Sequence, residues 1–364
     1  MPKILFIVDH RLNRSPSQRY RFEQYLSYFK EQGFDWVLSE IINAKDDKIF
    51  YQQKKYLAKA WVILKSIFVR FKDLKRAKQF DVIFIQREAL LIGSSFFEKQ
   101  FYKRHHHIIF DFDDSIWLLD TSPGNKKFEF LKNPQKTKIN IQHAHIVIAG
   151  NSYLANYAKQ FHQRVVVIPT TVDTQFHFPI RKVTLEDYKR EGKIIIGWSG
   201  SISTIKHFEM AIPALLEVDR KYPNQLEFHV MGQGNYTHPQ LQVVSKNWNP
   251  KTENADLNAF DIGIMPLPDN EWVKGKCGLK GITYMACGTP TIMSAVGVNT
   301  QIIQHGENGF LAHTHEEWVR YLSQLIEDVE LRHRLGLAGR QTVVEKYSVN
   351  ANKHHYLEVL KSLI

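Results

Sequence analysis

The feature that most constrains the fold is a series of short apolar runs, each followed by a longer stretch with helical periodicity. Several of these runs are rich in Val and Ile and do not alternate with polar residues, which is typical of strands that are buried on both faces. Strands separated by helices predict parallel α/β sheets. The strands predicted in the first half are Lys3–Val8, Trp36–Ile41, Asp81–Gln86, His107–Phe112, His145–Ala149 and Val165–Ile168.

The pattern starts again near Lys193, which predicts a second sheet. Its strands are predicted at Lys193–Trp198, Leu226–Met231, Asp261–Met265, Pro290–Ser294 and Gly309–Ala312. Between the two series, the charged segment Thr171–Gly192 contains Pro179, so we expect the linker there. A length of 364 residues also favours two domains, since about 100–200 residues form one domain.

The positive charge of the chain is unevenly distributed. Residues 1–180 carry 28 basic and 17 acidic side chains, whereas residues 181–364 carry 20 of each, so the whole net charge of +11 lies in the first half. Such a surface indicates an anionic partner, which is nucleic acid, anionic lipid or a phosphorylated substrate. No nucleic-acid-binding motif is recognisable, and acidic residues follow a predicted strand in this half, so we expect no nucleic-acid partner.

Cysteine content and apolar runs indicate the cellular compartment. Cys277 and Cys287 are too few for a disulfide scaffold and indicate a reducing environment. No apolar run reaches the roughly 20 residues that span a bilayer, and the run in residues 1–8 is too short for a signal-peptide core. We therefore expect a cytoplasmic protein, with peripheral association at the inner face of the cytoplasmic membrane as the further option.

Ligands of parallel sheets bind at the carboxyl ends of strands, so the residues after each strand are candidates. Ser199, Gly200 and Ser201 follow one strand and lead to Lys206 near the next helix start. Accessible backbone N–H groups and a positive helix end suit a phosphate there. The alternative is an ordinary turn with a solvated lysine.

The richest candidate segment follows the strand Asp261–Met265. Three lysines, Lys274, Lys276 and Lys280, alternate with glycines, and a helix is predicted to start near Gly278. Free N–H groups and ammonium groups at one helix end predict an anion site.

Two groups of polar residues stand out in the first half. Asp113 and Asp114 follow a strand and are candidates for a general base or a charge stabiliser, with helix capping or an ion pair to arginine as the alternative. A second group surrounds a Ser-Pro-Ser helix start, where arginine suits bidentate phosphate contact. It predicts a phosphate site at Arg11, Arg14, Ser17 and Arg19, or an exposed basic helix start paired with acids such as Glu23.

Residues 51–80 hold nine Lys or Arg and one acid, interleaved with apolar side chains such as Trp61 and Phe68. A basic helix with an aromatic-rich face predicts contact with an anionic membrane surface. A helix that faces the core and has a solvated basic face fits the same pattern. His105–His107 has no Cys or Glu at ligand spacing, so we predict a surface loop and no metal site.

The segment "MACGTPTIMSAVGVNTQIIQHGENGFLA" resembles the C-terminal signature of family-4 glycosyltransferases, which have the GT-B fold. With "GWSGSISTIKHFE" and "DIGIMPLPDNEWVKGKCGLKGITYMACG", the resemblance runs over Lys193–Ser348, and "SPSQRYRFEQYL" and "FDFDDSIW" extend it into the first half. It implies an α/β protein of two Rossmann-like domains that face a cleft. The expected parts are an acceptor-binding domain at 1–175, a donor-binding domain at 190–348 and a C-terminal helix at 350–364 that packs back on the first domain.

The resemblance implies retaining transfer of a sugar from a nucleotide-diphosphate sugar to a glycan or lipid-linked acceptor in bacterial surface polysaccharide or glycoconjugate assembly. It implies no metal and no other cofactor, because basic side chains and a helix end stabilise the departing diphosphate. The catalytic residues it suggests are Asp113, Asp114, Lys206 and Lys280. The donor-binding residues it suggests are Ser199, Gly200, Ser201, Lys206, Gly232, Lys276, Cys277, Gly278, Leu279, Lys280 and Thr283.

The chain departs from the family's Glu-x7-Glu motif, because Gly275 and Thr283 stand where the glutamates would be. Thr283 can bind a ribose hydroxyl without charge. The departure keeps a non-catalytic, donor-binding partner open as an alternative function. A nucleotide-sugar epimerase on the same fold is the other alternative, although such an enzyme needs no basic acceptor domain.

Overall fold

The computed structural model describes residues 1–52, 55–118, 133–189 and 192–364. These residues divide into two compact units. Unit 1 comprises Met1–Thr170 together with Asn352–Ile364, and unit 2 comprises Thr171–Ala351. Each unit contains a six-stranded sheet whose strands pair in parallel.

Unit 1 has the strand order β2-β1-β3-β4-β5-β6. Its strands are β1 Lys3–His10, β2 Asp35–Ile42, β3 Val82–Gln86, β4 Ile108–Phe112, β5 Ile146–Ala149 and β6 Val165–Val167. Its helices are α1 Pro16–Arg19, α2 Leu26–Glu31, α3 Ala44–Phe50, α4 Tyr56–Arg76, α5 Phe96–Arg104, α6 Gln135–His143 and α7 Ser152–Lys159. The apolar runs of β3, β4 and β5 are buried along their whole length, as unalternated strands should be.

Unit 2 has the strand order β12-β11-β10-β7-β8-β9. Its strands are β7 Ile194–Ser199, β8 Leu226–Met231, β9 Val243–Lys246, β10 Ile262–Met265, β11 Thr291–Ser294 and β12 Phe310–Ala312. Its helices are α8 Leu185–Tyr188, α9 Ile205–Lys221, α10 Glu253–Asn258, α11 Glu271–Lys274, α12 Leu279–Ala286, α13 Asn299–Ile302, α14 His315–Glu327 and α15 Val329–Thr342, and α16 Val349–Lys361 begins at its end.

The strand order of each sheet reverses at one point. In unit 1 the chain runs from β1 to one side and returns to place β3 on the other, and in unit 2 the same happens between β7 and β10. The loops that follow these strands diverge at such a switch point and leave a crevice for a ligand. The predicted Arg11–Arg19 and Ser199–Lys206 groups follow β1 and β7, and the predicted Lys274–Lys280 group follows β10.

All eleven predicted strands form, with ends within two residues of the predicted bounds. The sequence did not predict β9, a four-residue strand at the edge of the unit 2 sheet that is partly exposed along its length. An edge strand has one neighbour and one open side, so it lacks the continuous apolar run of a central strand.

The segment predicted as a linker packs on unit 2 over its described residues. The buried Lys182 ammonium donates to the Phe260 carbonyl and to Thr289 Oγ1, and the Tyr188 hydroxyl donates to the Gly288 carbonyl at 2.6 Å. Charged residues suggested exposure from sequence alone, but a lysine with two oxygen acceptors can be buried.

The C-terminal helix α16 enters unit 1, in which its residues from Asn352 onward are placed. The Tyr356 ring is tilted against Tyr25 with ring centroids 4.7 Å apart and lies edge-on to Phe29 at 6.2 Å. The side chains of Tyr356, Val359, Leu360 and Leu363 are buried.

Candidate functional site

The carboxyl ends of β7 and β8 in unit 2 are held in direct backbone contact. Gly232 has φ +108°, and a Cβ built on it would lie 2.1 Å from the Gly200 carbonyl oxygen. Gly200 N donates to the Met231 carbonyl at 2.9 Å, and a Cβ on Gly200 would lie 2.4 Å from the Trp198 ring. Both positions therefore require glycine, and this shapes the turn that carries Ser199 and Ser201.

Tyr284 of α12 fixes the start of that turn. Its hydroxyl accepts from Ser199 N at 2.7 Å and lies 2.9 Å from Ser199 Oγ. Burial raises the pKa of Tyr284, so the phenol stays neutral and the contact persists at ordinary pH. The sequence did not predict a role for Tyr284. It lies on an apolar helix, and its contact with Ser199, 85 residues away, leaves no local sequence signal.

The helix α12 starts at Leu279, as predicted, after Gly278 in the left-handed region at φ +70°. A Cβ on Gly278 would lie 2.2 Å from Ile302 Cδ1, and one on Gly281 would lie 1.7 Å from Met293 Cε. Two glycines thus bring the first turn of α12 close to β11 and α13. The first N–H groups of a helix have no partner within it and can bind an anion.

The lysines of this segment differ in their surroundings. Lys280 Nζ lies 5.4 Å from the centroid of the buried Trp198 ring, and Lys276 Nζ lies 5.7 Å from that of Trp272. Lys274 instead pairs with Glu271 at 2.6 Å. Lys206 is exposed in the first turn of α9. Lys274, one of the three lysines predicted to form one anion site, is thus held in an ion pair with a residue of its own helix.

Thr283 and Gly275 occupy the two motif positions that carry no glutamate. The buried Thr283 hydroxyl donates to the Lys280 carbonyl at 2.7 Å, one turn earlier in α12. A hydroxyl that donates still has acceptor lone pairs. Neither position supplies a carboxylate to this region. Cys277 Sγ lies 3.7 Å from the Gly275 carbonyl.

In unit 1, the ends of β1, β3 and β4 form a cluster of charged and polar side chains. Asp111 is fully buried and paired with Arg21, with Arg21 Nη2 at 2.6 Å from Asp111 Oδ1. Burial raises the pKa of Asp111, and the Arg21 charge works in the other direction. This pair belongs to the core under the cluster.

Asp113 and Asp114 are held together by one arginine. Arg87 Nε donates to Asp113 Oδ1 and Arg87 Nη2 donates to Asp114 Oδ2, both at 2.7 Å. Burial opposes the charge of Arg87, but the two carboxylates outweigh it and raise the pKa of Arg87. The ion pair to arginine, which was the alternative interpretation of these acids, is therefore present. Arg87 itself has φ +60°, a conformation in which non-glycine residues are uncommon.

The candidate phosphate-binding residues after β1 separate into three environments. Arg11 and Arg14 converge on Asp47, each at 2.7 Å. Ser17 joins the acidic cluster, because its hydroxyl donates to Asp113 Oδ1 at 2.8 Å. Arg19 lies over the Tyr20 ring at 5.0 Å. The structure thus brings Arg11 and Arg14 together.

Asp9 and Glu88 are further residues of this edge that the sequence analysis missed. Asp9 is buried, and its Oδ1 has no hydrogen-bond partner among the described residues. Burial and the nearby Glu88 charge raise the pKa of Asp9 to about 8. Lys136 pairs with Glu88 at 3.0 Å. The position of Asp9 at the end of the first strand was the available signal.

Among the described residues, no group of His, Cys, Asp or Glu has the arrangement of a metal site. In the same residues, no helix is both long enough and apolar enough to cross a bilayer.

Comparison with known structures identifies the architecture. Sucrose-phosphate synthase from Thermosynechococcus elongatus superposes with a TM-score of 0.73 at 15% identity, covering 100% of this chain and 99% of that one. Anabaena Alr3699/HepE in complex with UDP-glucose gives a TM-score of 0.67 at 14% identity, with 100% of both chains covered. The fold is GT-B. At these identities the likeness concerns the fold.

Sequence comparison points to the same class of domain. Residues 193–328 of unit 2 match the family described as Glycosyl transferases group 1. N-acetyl-alpha-D-glucosaminyl L-malate synthase from Bacillus anthracis is 34% identical over 95 residues, which are 26% of this chain and 24% of that protein. The match thus spans about a quarter of the curated relative. The group 1 segment includes the turn after β7 and the whole of α12.

Proposed function

We propose that this GT-B protein is a glycosyltransferase that moves a sugar from a nucleotide-diphosphate sugar to a glycan or lipid-linked acceptor. The observation that carries the proposal is the placement of Lys276 and Lys280 beside the first turn of α12, at the strand-order reversal of unit 2 and inside the group 1 segment. Anabaena Alr3699/HepE, which has the same fold, has been solved with UDP-glucose and with UDP and glucose. We place the reaction in bacterial surface polysaccharide or glycoconjugate assembly.

The donor diphosphate binds, in this proposal, between the β7 turn and α12. Gly200, Ser201 and Gly232 form the narrow backbone turn, and the N–H groups near Gly278 and Leu279 face the phosphates. Lys276 and Lys280 lie next to them, and Lys206 adds charge from α9. Cys277 and Thr283 belong to the same wall, with Thr283 accepting from a ribose hydroxyl.

We infer a retaining, family-4 type of transfer that requires no metal ion. When the bond from sugar to diphosphate breaks, negative charge grows on the departing oxygen. Fixed ammonium groups and helix N–H groups that point at this oxygen lower the barrier, because they need no rearrangement at the moment of reaction. Lys280 and Lys206 are the side chains to which we assign this stabilisation.

Unit 1 supplies the acceptor side in this proposal. Arg11 and Arg14 share the single carboxylate of Asp47, so this group keeps an excess of positive charge for an anionic acceptor. Ser17 and Arg19 complete the proposed acceptor group. Asp113 and Asp114 accept hydrogen bonds from Arg87, so oxygens of both carboxylates are engaged by a fixed cation. We therefore assign these two acids to charge stabilisation rather than proton removal.

We also propose that the basic stretch 51–80 brings the protein to the anionic inner face of the cytoplasmic membrane, where a lipid-linked acceptor would be found. Residues 53 and 54 of this stretch lie outside the described residues.

A second function is favoured by one observation, the absence of a carboxylate at Gly275 and Thr283. A protein that binds a nucleotide sugar without turning it over would act as a partner of an active transferase. The two functions differ in activity but share donor binding. They therefore need a binding measurement and a turnover measurement on the same samples.

The test is thermal unfolding with a panel of nucleoside diphosphates and their sugars, with and without magnesium. A ligand at 100 times its Kd adds about 2.7 kcal/mol of stability, which gives a measurable shift in Tm. Lys276→Ala and Lys280→Ala should each reduce the shift and the turnover. Lys274→Ala is the matched control, because Lys274 pairs with Glu271, and it should keep both.

If Lys276→Ala and Lys280→Ala kept the Tm shift and the turnover rate of the wild type, as the control should, Lys276 and Lys280 would not be part of the donor site. A shift without turnover for any acceptor would favour the non-catalytic partner. No shift with any nucleotide, in a protein shown to be folded, would contradict both functions.

A further inference from the structure

The long helix α4 exposes a row of large apolar side chains and buries an ion pair on its inner face. Arg70 and Asp73 are both buried, and Arg70 Nη1 donates to Asp73 Oδ2 at 3.0 Å. Arg70 Nη2 also donates to the Val8 carbonyl at 2.7 Å, and Asp73 Oδ2 accepts from Ser39 Oγ at 2.7 Å. The inner face is therefore anchored to β1 and β2 by hydrogen-bonded charges, in addition to the buried apolar side chains Val62 and Leu74.

The outer face of α4 carries a continuous row of large apolar side chains, which we call the apolar stripe. Steps of four and three residues separate its members, so they lie on one side of the helix over about 21 Å. They are 44% to 90% exposed, and they are Leu57, Trp61, Leu64, Phe68 and Phe71. Single exposed apolar residues are normal on proteins, but a contiguous row marks an interaction surface.

The apolar stripe continues onto the neighbouring helix α5. Phe71 lies edge-on to Phe96 at 6.1 Å and to Phe97 at 5.1 Å. Phe96 is exposed, whereas Phe97 is buried. The surface thus spans two helices and is wider than one row of side chains.

On α4 and α5, the exposed charged side chains are all basic. The acids of these two helices are Asp73 and Glu98, and both are buried. The exposed charged residues that flank the stripe are Lys72 and Lys75 on α4 and Lys99, Lys103 and Arg104 on α5. Any partner must therefore accept apolar side chains and a cationic border together.

We propose that the apolar stripe inserts into the interfacial region of an anionic lipid bilayer. Anionic headgroups match the lysine border, and the acyl boundary below them matches the leucine and phenylalanine side chains. Tryptophan favours this interface, where Trp61 would lie. A second copy of the chain fits less well, because pairing two stripes would bring two cationic borders together. This inference makes the membrane association proposed above specific, and it does not depend on sugar transfer.

The test is flotation of the full-length protein with vesicles of phosphatidylglycerol and phosphatidylcholine, compared with phosphatidylcholine alone. The double variant Trp61→Ser, Phe68→Ser should bind the anionic vesicles at least about tenfold more weakly than the wild type. Each aromatic side chain buried in the bilayer adds strongly to the partition free energy. The matched control is Phe176→Ser, Phe178→Ser, which changes two exposed aromatics of unit 2 and should leave binding unchanged. Circular dichroism checks that both variants are folded.

Two further measurements separate the origins of binding. Lys72→Gln, Lys75→Gln should weaken binding about 25-fold at low salt, from roughly fivefold per lysine near an anionic surface. Brominated lipid should quench part of the tryptophan emission of the wild type, and this part should be lost in Trp61→Phe.

The inference would be overturned if the wild-type protein did not float with anionic vesicles, or if the Trp61→Ser, Phe68→Ser variant bound them as well as the wild type. A dimer in solution that this variant abolishes would also overturn it. The nucleotide panel is measured without vesicles. Vesicle binding in a protein that ignores every nucleotide would therefore reject the donor proposal and leave the stripe proposal standing.

Discussion

Asp9 places a buried carboxyl group among charges of both signs. The charged groups that act on it are Glu88, Arg70, Lys136 and Arg87. Burial and Glu88 favour the protonated form, while the three cations favour the ionised form, and the net result is a pKa of about 8. In the unfolded chain this group ionises at about pH 4. Between these values the folded protein binds a proton that the unfolded chain has released.

This difference predicts how stability changes with pH. The free energy of unfolding falls as pH rises from about 4 to about 8, because the unfolded state binds fewer protons in this window. Asp9→Asn should remove that contribution, so the variant gains stability relative to wild type as pH rises. Urea unfolding between pH 5 and pH 9 measures it.

Glu31→Gln provides the control for Asp9→Asn, since Glu31 is an exposed carboxyl of the same unit. Plotted against pH, its free energy of unfolding should run parallel to that of the wild type from pH 5 to pH 9. If the plot for Asp9→Asn were also parallel to that of the wild type, this would contradict the assignment of a raised pKa to Asp9.

At the scale of elements, unit 2 is shaped where two strand ends and a helix start meet. The β7 and β8 ends touch through Gly200 and Gly232, and α12 approaches β11 through Gly281. At each of these contacts a glycine lets a neighbouring atom approach to where a side chain would otherwise lie. The close packing fixes the positions of backbone N–H groups, which can bind an anion.

Gly232→Ala tests this close approach. The new Cβ would lie 2.1 Å from the Gly200 carbonyl oxygen, and the residue would have to keep φ +108°. Gly306→Ala is the control, with φ +79° and no atom within 4 Å of the new Cβ. The control should lose about 1–2 kcal/mol, the usual cost of a left-handed residue.

Gly232→Ala should lower the free energy of unfolding clearly more than Gly306→Ala does. It should also weaken the stabilisation that a bound nucleotide gives. Denaturant unfolding with and without the best nucleotide compares the two variants. Equal losses would mean that the β7 turn can relax away from β8.

At the scale of the whole molecule, the chain begins and ends in unit 1. Residues from Asn352 onward supply Tyr356, whose ring lies against Tyr25 and Phe29. The last helix is therefore part of the unit 1 core, although it follows unit 2 in sequence. Unit 1 also contains most of the basic first half of the chain, so we propose that the anionic acceptor and the anionic membrane surface bind this unit.

Tyr356→Ala should destabilise unit 1 by about 3–5 kcal/mol, because it leaves a cavity under a large buried ring. Ser362→Ala, in the last turn of the chain, should change stability by less than about 0.5 kcal/mol. Near-UV circular dichroism during urea unfolding reports the loss of aromatic packing. An effect of Tyr356→Ala as small as that of the control would place the helix outside the cooperative core.

The sequence predicted the sheets because burial on both faces leaves a local signal. Runs such as Ile83–Ile85 and Ile146–Ile148 are apolar without alternation, and no distant information is needed to see this. The start of α12 was also predictable, since the glycine before it and the lysines around it are neighbours in sequence. The short edge strand β9 was missed because partial exposure removes that signal.

The pairing of charges was decided by tertiary structure. Asp113 and Arg87 lie 26 residues apart, and nothing local shows that they form an ion pair. The same holds for Asp9, whose raised pKa depends on the burial of its strand and on Glu88. The lysines of the segment after β10 are equivalent in sequence pattern but differ in the structure. Lys274 forms an ion pair with Glu271, whereas Lys280 lies over the Trp198 ring.

The amino-acid sequence by itself determined the order of strands and helices, the two-sheet architecture, the charge of the first half and the glycine-lysine segment of unit 2. These properties depend on residue type and on neighbours within a few positions. Only the tertiary structure decided that α4 turns its aromatic side outward, because the inner face is occupied by Arg70 and Asp73 bonded to β1 and β2. Which face of an amphipathic helix is buried depends on what the rest of the fold offers it, and that information is spread over the whole chain.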